Sequence, residues 1–312
     1  MKILVTGGAG FIGSHIVDAY VADGHEVTIV DDLSSGKKMN VNSKATLVIV
    51  DVRDPNIITL FAKSKFDVVN HHAAQVDVRR SVQDPFVDAS VNILGTLRLL
   101  DCCRTYGVRK FIFASSGGTL YGECAKRAAV EEDASRPESP YGFSKAAAET
   151  YIRFFGQFYR LSYTILRYGN VYGPRQDPNG EAGVVSIFIG KILAKESATI
   201  YGTGHQERDY VHVLDVVEAN RAALLKGENN TFNIGTKTPT SVNDLYRKLS
   251  SFDKKVKAPI SAPARPGELN RSLLNADKAL RQLAWQPKRT LEQGLKETFL
   301  YFQSLKKTSV AR

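Results

Sequence analysis

Lys2-Ile3-Leu4-Val5-Thr6-Gly7-Gly8-Ala9-Gly10-Phe11-Ile12-Gly13 decides the fold. A short apolar, β-branched run stops at a cluster of glycines, and a helical pattern over Phe11–Ala22 starts inside that cluster. The G-x-x-G-x-x-G spacing of Gly7, Gly10 and Gly13 lets a strand turn tightly into a helix. That turn brings the helix N-terminus, with Phe11 and Ile12, against a pyrophosphate, and Gly13 permits close helix–sheet packing. Asp31 ends the next strand, eighteen residues beyond Gly13. An acid there accepts ribose hydroxyls and repels a 2′-phosphate, which favours NAD over NADP. Lys37 and Lys38 follow as solvated loop charges.

Working outward, Glu26–Asp31, Thr46–Asp51, Phe66–Ala73, Lys110–Ser115 and Ser162–Tyr168 repeat the texture of the first strand, short apolar runs suited to burial on both faces. Helical patterns lie among them at Pro85–Tyr106 and Ser139–Tyr159. Strands alternating with helices predict an α/β fold, a doubly wound parallel sheet with ligands at the carboxyl ends of its strands. Asp51-Val52 and His72-Ala73-Ala74 end two of those strands, where a carboxylate and small residues suit an adenine and a close cofactor backbone. After Asn170 the texture changes. Val171–Asn179 reads as a long loop, helices follow at Gly183–Lys195, Val213–Leu225 and Ser241–Ser250, and short strands at Ala198–Tyr201 and Thr231–Ile234. Pro259, Pro263 and Pro266 precede a last helix at Leu291–Phe302. The expected division is a Rossmann-like domain over 1–170, with 214–235 returning to it, and a smaller lobe from 171–213 and 236–312.

Length agrees with two lobes, since 312 residues is about twice the roughly 150 of a typical domain. No run approaches the ~18 apolar residues of a membrane span, and no signal peptide precedes the glycine turn, so a cytoplasmic protein is expected. Three cysteines (Cys102, Cys103, Cys124) make no disulfide framework, and six histidines show no metal-ligand spacing, so no metal is expected. The net charge of +10 is spread over scattered Lys and Arg, the densest runs being pairs such as Lys254-Lys255, which reads as a basic soluble surface and argues against a nucleic-acid partner; attraction of a polyanionic small molecule is the milder functional reading.

Tyr141-Gly142-Phe143-Ser144-Lys145 carries the chemistry. Positions four apart on a helix share a face, so the phenol and the ammonium project together. A lysine beside a phenol is expected to lower its pKa from the usual ~10 and make it a general base for a sugar hydroxyl while hydride leaves for nicotinamide.

These stretches, with Asp31-Asp32-Leu33-Ser34-Ser35-Gly36 and Leu166-Arg167-Tyr168-Gly169-Asn170-Val171-Tyr172-Gly173-Pro174-Arg175, resemble the extended short-chain dehydrogenase/reductase superfamily, and within it the UDP-glucose 4-epimerases, from Met1 to about Phe302. The resemblance implies reversible inversion at C4 of a UDP-hexose through bound NAD and a 4-keto sugar. It implies Tyr141 as catalytic acid and base with Lys145 beside it. It places Asp32, Leu33, Ser35, Gly36, Asn92, Ser115 and Tyr168 with the cofactor. It assigns Asn170, Gly183, Val184, Arg208, Tyr210 and Arg265 to the nucleotide-sugar, and Glu268 to an acidic position facing the uridine ribose. A homodimer through the helices Pro85–Tyr106 and Ser139–Tyr159 is also implied, using Val91, Leu94, Leu97 and Leu100 on the first and Ala146, Ala147, Tyr151 and Phe154 on the second.

Some positions depart from the family pattern. Gly117 stands where the catalytic hydroxyl normally lies, flanked by Ser115, Ser116 and Thr119. Ser116 is expected to replace it, because strand alternation turns Ser115 the other way. The related 4,6-dehydratases carry an Asp-Glu pair where this chain has Gly118 and Thr119, and decarboxylases carry a glutamate at the second of these, so epimerisation is favoured. A catalytically silent NAD-binding relative would tend to lose the Tyr–Lys pair, which is intact. UDP-glucuronate and UDP-pentose remain alternative sugars. Seven residues beyond Arg265, where a tyrosine in relatives closes the pocket on the sugar's C2 substituent, this chain has Ser272. An open volume there is expected to admit N-acetylated sugars.

Overall fold

The computed structural model describes residues 1–124, 126–178, 183–253, 255–265 and 267–310. Asn179, Lys254 and Pro266, named above, lie outside the described residues. The chain opens with β1 (Lys2–Thr6), α1 (Phe11–Ala22), β2 (Glu26–Asp31), β3 (Thr46–Ile49), α2 (Ile57–Ser64) and β4 (Val68–His71). Then come α3 (Val78–Gln83), α4 (Pro85–Ala89), a π turn over Ser90–Leu94, and α5 (Gly95–Tyr106). These are followed by β5 (Lys110–Ser116), the single turn α6 (Gly117–Leu120), α7 (Pro140–Tyr159) and β6 (Ser162–Tyr168). The second half holds β7 (Asn170–Tyr172), α8 (Val184–Ala194), β8 (Thr199–Tyr201), β9 (Glu207–His212), α9 (Val213–Leu225) and β10 (Asn230–Ile234). It ends with β11 (Pro239–Ser241), α10 (Val242–Ser250), β12 (Ile260–Ala262), β13 (Arg271–Ser272), α11 (Asp277–Leu283) and α12 (Leu291–Val310).

Seven strands form one parallel sheet in the order β10-β6-β5-β4-β1-β2-β3. Alternate residues of its strands face two separate cores. Ile3, Val5 and Ile29 pack with α1, α9 and α11, whereas Leu4, Val30 and Phe111 pack with α2, α5 and α7. Such two-sided burial is why the strand sequences are almost continuously apolar. The strand order reverses between β1 and β4, and a doubly wound sheet opens its crevice at that switch.

A smaller sheet orders β11-β9-β13 with β7 also on β9, and β12 pairs with β8. Its own core is built from α8, α10 and α12, with Phe188, Leu245 and Phe299 buried. Of the loop expected over Val171–Asn179, Val171 and Tyr172 belong instead to β7, since Asn170 to Tyr172 pair with Tyr210 to His212. The single helix expected over Pro85–Tyr106 is interrupted by the π turn, and the last helix runs on to Val310 rather than stopping at Phe302.

Candidate active site

The glycine turn is built by steric necessity. Gly7 has φ +68°, and a Cβ there would stand 2.7 Å from the amide nitrogen of Ala73 at the end of the neighbouring strand. A Cβ on Gly13 would run into the carbonyl of Gly7. The turn is thus as close to β4 and α1 as backbone allows. Thr6 locks the adjoining strand end, its Oγ1 lying 2.6 Å from His71 Nδ1 and accepting the N–H groups of His72 and Ala73 at 3.2 and 3.1 Å. His72 stacks on Tyr168, with Nε2 3.0 Å from the phenol, and burial holds this imidazole down at about 3, so it is neutral. Its Nδ1 is buried without a protein partner. Tyr168 is buried too and accepts from Asn220 Nδ2 at 2.9 Å.

Asp31 is 6% exposed and accepts from the amides of Ala9 and Leu33, both at 2.9 Å. Burial raises its pKa against those hydrogen bonds. Gly36 passes so near that a Cβ would be 2.5 Å from the carboxylate. Each oxygen keeps a lone pair beyond its single amide partner, the donor-seeking arrangement that ribose hydroxyls suit. With the Gly7–Gly13 cradle and the orphan nitrogen of His72, these residues fit NAD.

Several expected cofactor contacts are otherwise engaged. The Asp51 carboxylate accepts from the Arg53 guanidinium, with contacts of 2.6 to 3.0 Å, and Val52 packs against the position of Gly95. Asp32 is exposed and accepts from the Ser34 amide and hydroxyl. Ser35 is exposed, and Ala74 is half-buried. The Asn92 amide is spent inside the protein on Gln75, Asp88 and Ser144. The Ser115 side chain donates to buried Glu149 at 2.7 Å, on the face away from Ser116.

The candidate catalytic pair, Tyr141 and Lys145, is set by the start of α7. Ser139 caps the helix by accepting the Gly142 amide at 3.2 Å, Pro140 follows in the first turn, and the free N–H of Tyr141 is taken by Ser81 Oγ at 3.1 Å. Lys145 sits one turn on, buried, donating to the Ala114 carbonyl at 3.0 Å, with Nζ 4.7 Å from the Phe113 ring centroid and 5.9 Å from that of Tyr141. Burial brings this lysine down to about 8, opposed by the charges of Asp88 and Glu149.

The expected lowering of the phenol by Lys145 does not occur in the chain by itself. Burial pushes Tyr141 up to about 12, opposed by its hydrogen bond with Ser116 and reinforced by Asp88. The physical reason is that the ammonium is committed to the Ala114 carbonyl and the Phe113 ring face, while the half-buried Tyr141 loses solvation of its charged form.

Ser116 is the hydroxyl brought to Tyr141. Thr119 Oγ1 donates to Ser116 Oγ at 2.9 Å, giving a Thr119–Ser116–Tyr141 chain. Gly117 has no room for a side chain, because a Cβ there would be 2.5 Å from Leu274 Cδ1, and Leu274 is buried. Asn170 approaches the same turn, its Oδ1 being 3.5 Å from the place of a Gly118 Cβ.

On the far side, Arg208 and Tyr210 extend from β9. Arg208 lies 3.6 Å from Glu268, and the buried Tyr210 hydroxyl has no partner. The Arg265 guanidinium is stacked 3.8 Å over the Tyr201 ring. Gly183 caps α8 and Val184 begins it. Ser272 pairs with Arg208 across β13 and β9, and its hydroxyl donates to the Gly118 carbonyl at 3.3 Å. It is 2% exposed, so it packs on the catalytic turn instead of facing an open volume. Ser81, Asp88 and Tyr201 carry no motif, and sequence reading passes over them; only the tertiary structure brings them to the site. Among the described residues no group of His, Cys, Asp or Glu is placed to hold a metal, and no helix is long and apolar enough to cross a membrane.

A glycine cradle with a ribose acid beside it, and a Tyr–Lys pair one turn apart with the lysine buried, define an NAD-binding short-chain dehydrogenase/reductase site. The NAD dependent epimerase/dehydratase family model matches residues 3–235. A putative UDP-glucose 4-epimerase of Methanocaldococcus jannaschii is 44% identical over 98% of this chain and 100% of its own. The Thermotoga maritima UDP-glucose 4-epimerase, solved with UDP-glucose, is 48% identical with a TM-score of 0.96, covering 98% of this chain and 99% of that one. The Thermus thermophilus UDP-glucose 4-epimerase, solved with NAD, is 44% identical with a TM-score of 0.93, covering 97% and 99%. The chain belongs to the NAD dependent epimerase/dehydratase family. Within it, it is an NAD-dependent nucleotide-sugar 4-epimerase.

Proposed function

We propose that the chain interconverts the C4 epimers of a UDP-hexose, UDP-glucose and UDP-galactose first, which would place it in galactose metabolism in the cytoplasm. The observation that carries this reading is the Thr119–Ser116–Tyr141 hydroxyl chain on the same turn that lies beside Asn170 and Ser272. Bound NAD supplies the hydride acceptor and a positively charged ring. Tyr141 takes the proton from the sugar's C4 hydroxyl and later returns it, Ser116 holds that oxygen, and Thr119 fixes the direction of the serine hydroxyl by donating to it. Gly118 and Thr119 offer no carboxylate, so elimination of water across C5–C6 has no acid to drive it.

Arg208 and Arg265 are the diphosphate ligands of this reading, with Tyr210 beside Arg208; fixed guanidinium forks suit phosphate oxygens. They hold the nucleotide while the 4-keto sugar turns over its other face. The 1–170 segment with 214–235 holds the cofactor, and 171–213 with 236–312 holds the nucleotide-sugar. A homodimer is also proposed, through α4, α5 and α7. Leu94 in the intervening π turn and Tyr151, Phe154 and Phe158 on α7 are exposed large hydrophobic residues, whereas Leu100 is wholly buried and takes no part. A monomeric mass by light scattering at micromolar concentration rejects the dimer.

The test is conversion of UDP-galactose to UDP-glucose with no added reductant. A silent protein returns the substrate unchanged, and a dehydratase yields a stable 4-keto-6-deoxy sugar. A second reading, that the N-acetylated pair is also accepted, is supported by likeness to the UDP-N-acetylglucosamine 4-epimerase of Methanobrevibacter ruminantium, 36% identical with a TM-score of 0.91. Ser272→Tyr should depress turnover of UDP-N-acetylglucosamine relative to UDP-glucose by about tenfold or more, the size of discrimination that one pocket contact gives. Equal loss on both sugars refutes the gate.

A further inference from the structure

Residues 174–177 leave β7 and pass over the cofactor-binding elements of the large sheet. Three polar links tie them down. The Pro174 carbonyl accepts from His15 Nε2 at 2.9 Å, Arg175 Nη2 pairs with Asp18 at 2.7 Å, and Asp177 pairs with Lys37 Nζ at 3.0 Å. His15 and Asp18 stand three residues apart on α1, the helix whose N-terminus is the glycine turn, and so share one face. Lys37 closes the ribose loop, and its own amide is held by the Ala9 carbonyl at 2.9 Å. Asp18 also accepts from Asn42 Nδ2 at 2.7 Å, so Arg175 is tied through it to the segment after that loop. Arg175 adopts φ +68°, a conformation uncommon for a residue with a side chain, which persists only where surrounding contacts hold it. The glycine turn, the ribose loop and the small lobe are thus joined by one short segment.

We propose that residues 174–177 are a clasp that retains NAD between and within turnovers, opening only when the links to His15, Asp18 and Lys37 release together. The chemistry gives the reason. Hydride removed from a sugar has to return to that sugar, so escape of the cofactor in mid-cycle strands a keto product. Two of the links are partly exposed ion pairs, and each contributes modestly by itself. The clasp draws its strength from all three acting on a segment too short to let go of one while holding the others.

The experiment measures release of NAD from the purified holoenzyme, trapping free cofactor with an alcohol dehydrogenase and ethanol. Arg175→Ala/Asp177→Asn should release NAD roughly tenfold faster or more, while UDP affinity and thermal midpoint stay near those of the parent. Lys37→Met, which removes one link from the cofactor side alone, should release it about two- to fivefold faster, and Lys37→Arg should restore slow release. Release within twofold of the parent in both variants overturns the proposal. Faster release accompanied by an equal loss of UDP affinity also overturns it, because that pattern is general loosening of the two lobes. If the double variant fails to fold, Lys37→Met against Lys37→Arg decides alone.

Discussion

The two sheets of this protein are held by different physics. In the seven-stranded sheet, β1 presents Ile3, Leu4 and Val5, all wholly buried, and Val27, Ile29 and Val30 of β2 and Val68 and Val69 of β4 are buried beside them. In the small sheet, β9 runs Glu207-Arg208-Asp209-Tyr210-Val211-His212, and a carboxylate takes the organising part. Asp209 is 1% exposed and collects four donors: the amide and hydroxyl of Thr236 at 2.7 Å, the Lys237 amide at 3.0 Å and the Leu274 amide at 3.1 Å. It gathers segments remote in the chain around the strand that carries Arg208 and Tyr210. Hydrophobic burial writes its pattern into consecutive residues, whereas a polar hub writes almost nothing beyond one aspartate.

The catalytic pair belongs to the first kind of region, where the sequence is informative, and its loss should have the largest effect. Tyr141→Phe removes the phenol proposed to move the C4 proton and is expected to lower turnover by roughly 10²–10⁴-fold with little change in stability. Residual activity within tenfold of the parent, from conversion of UDP-galactose, breaks the assignment.

Asp209→Ala tests the second region. Four hydrogen bonds to a buried carboxyl group vanish together, leaving a buried Leu274 amide and the half-buried Thr236 donors without their partner. A cost of about 3 kcal/mol or more is expected in urea unfolding, even after water recovers part of it. The same truncation at the large sheet's Asp32, which is exposed and only folds its own loop, should cost under about 0.5 kcal/mol. Similar costs at both positions would erase the contrast.

How much was legible follows from the same division. Gly7, Gly13, Asp31, Tyr141 and Lys145 were readable because each acts within one turn, one strand end or one helix face. Arg208, Arg265 and Ser272 became visible only by resemblance, since pairing of β13 with β9 is what brings Ser272 to Arg208. β7 looked like a loop because three residues with no partner nearby in sequence carry no periodicity. The engagement of Asp51 by Arg53 and of Asn92 by Gln75 and Asp88 was illegible for a further reason: residue type reveals capacity to bond, and geometry decides with whom.

Lys145 sharpens the comparison through pH. Its ammonium is buried and sits at about 8, against 10.5 for an ordinary lysine. Between those values the unfolded chain binds more protons than the folded one, so this residue's contribution to stability rises as pH goes from about 8 to 10.5. The charged form is the one that acts beside Tyr141, so turnover should fall over the same window. Lys145→Met should abolish most activity and flatten the stability rise above pH 8, seen as thermal midpoints across the pH series. A parent whose stability drops steadily from pH 8 to 10 while activity holds would contradict both halves.

The smallest expected effect lies at the seam between the two regions, on the turn after β5. Gly117 is sealed by Leu274, which itself lies two residues beyond the β13 segment that positions Ser272. A hydroxyl at 117 is therefore sterically excluded by the small lobe, and the neighbouring Ser116 is the hydroxyl left to meet Tyr141. Ser116→Ala should lower turnover by roughly tenfold, near the low end of what a positioned proton-transfer partner contributes. Thr119→Val should cost less, about two- to threefold, because it removes only the donor that orients the serine. The order of the two matters more than their size. If Thr119→Val proves far more damaging than Ser116→Ala, the threonine holds the sugar oxygen and the serine merely supports it, which reverses the chain Thr119–Ser116–Tyr141.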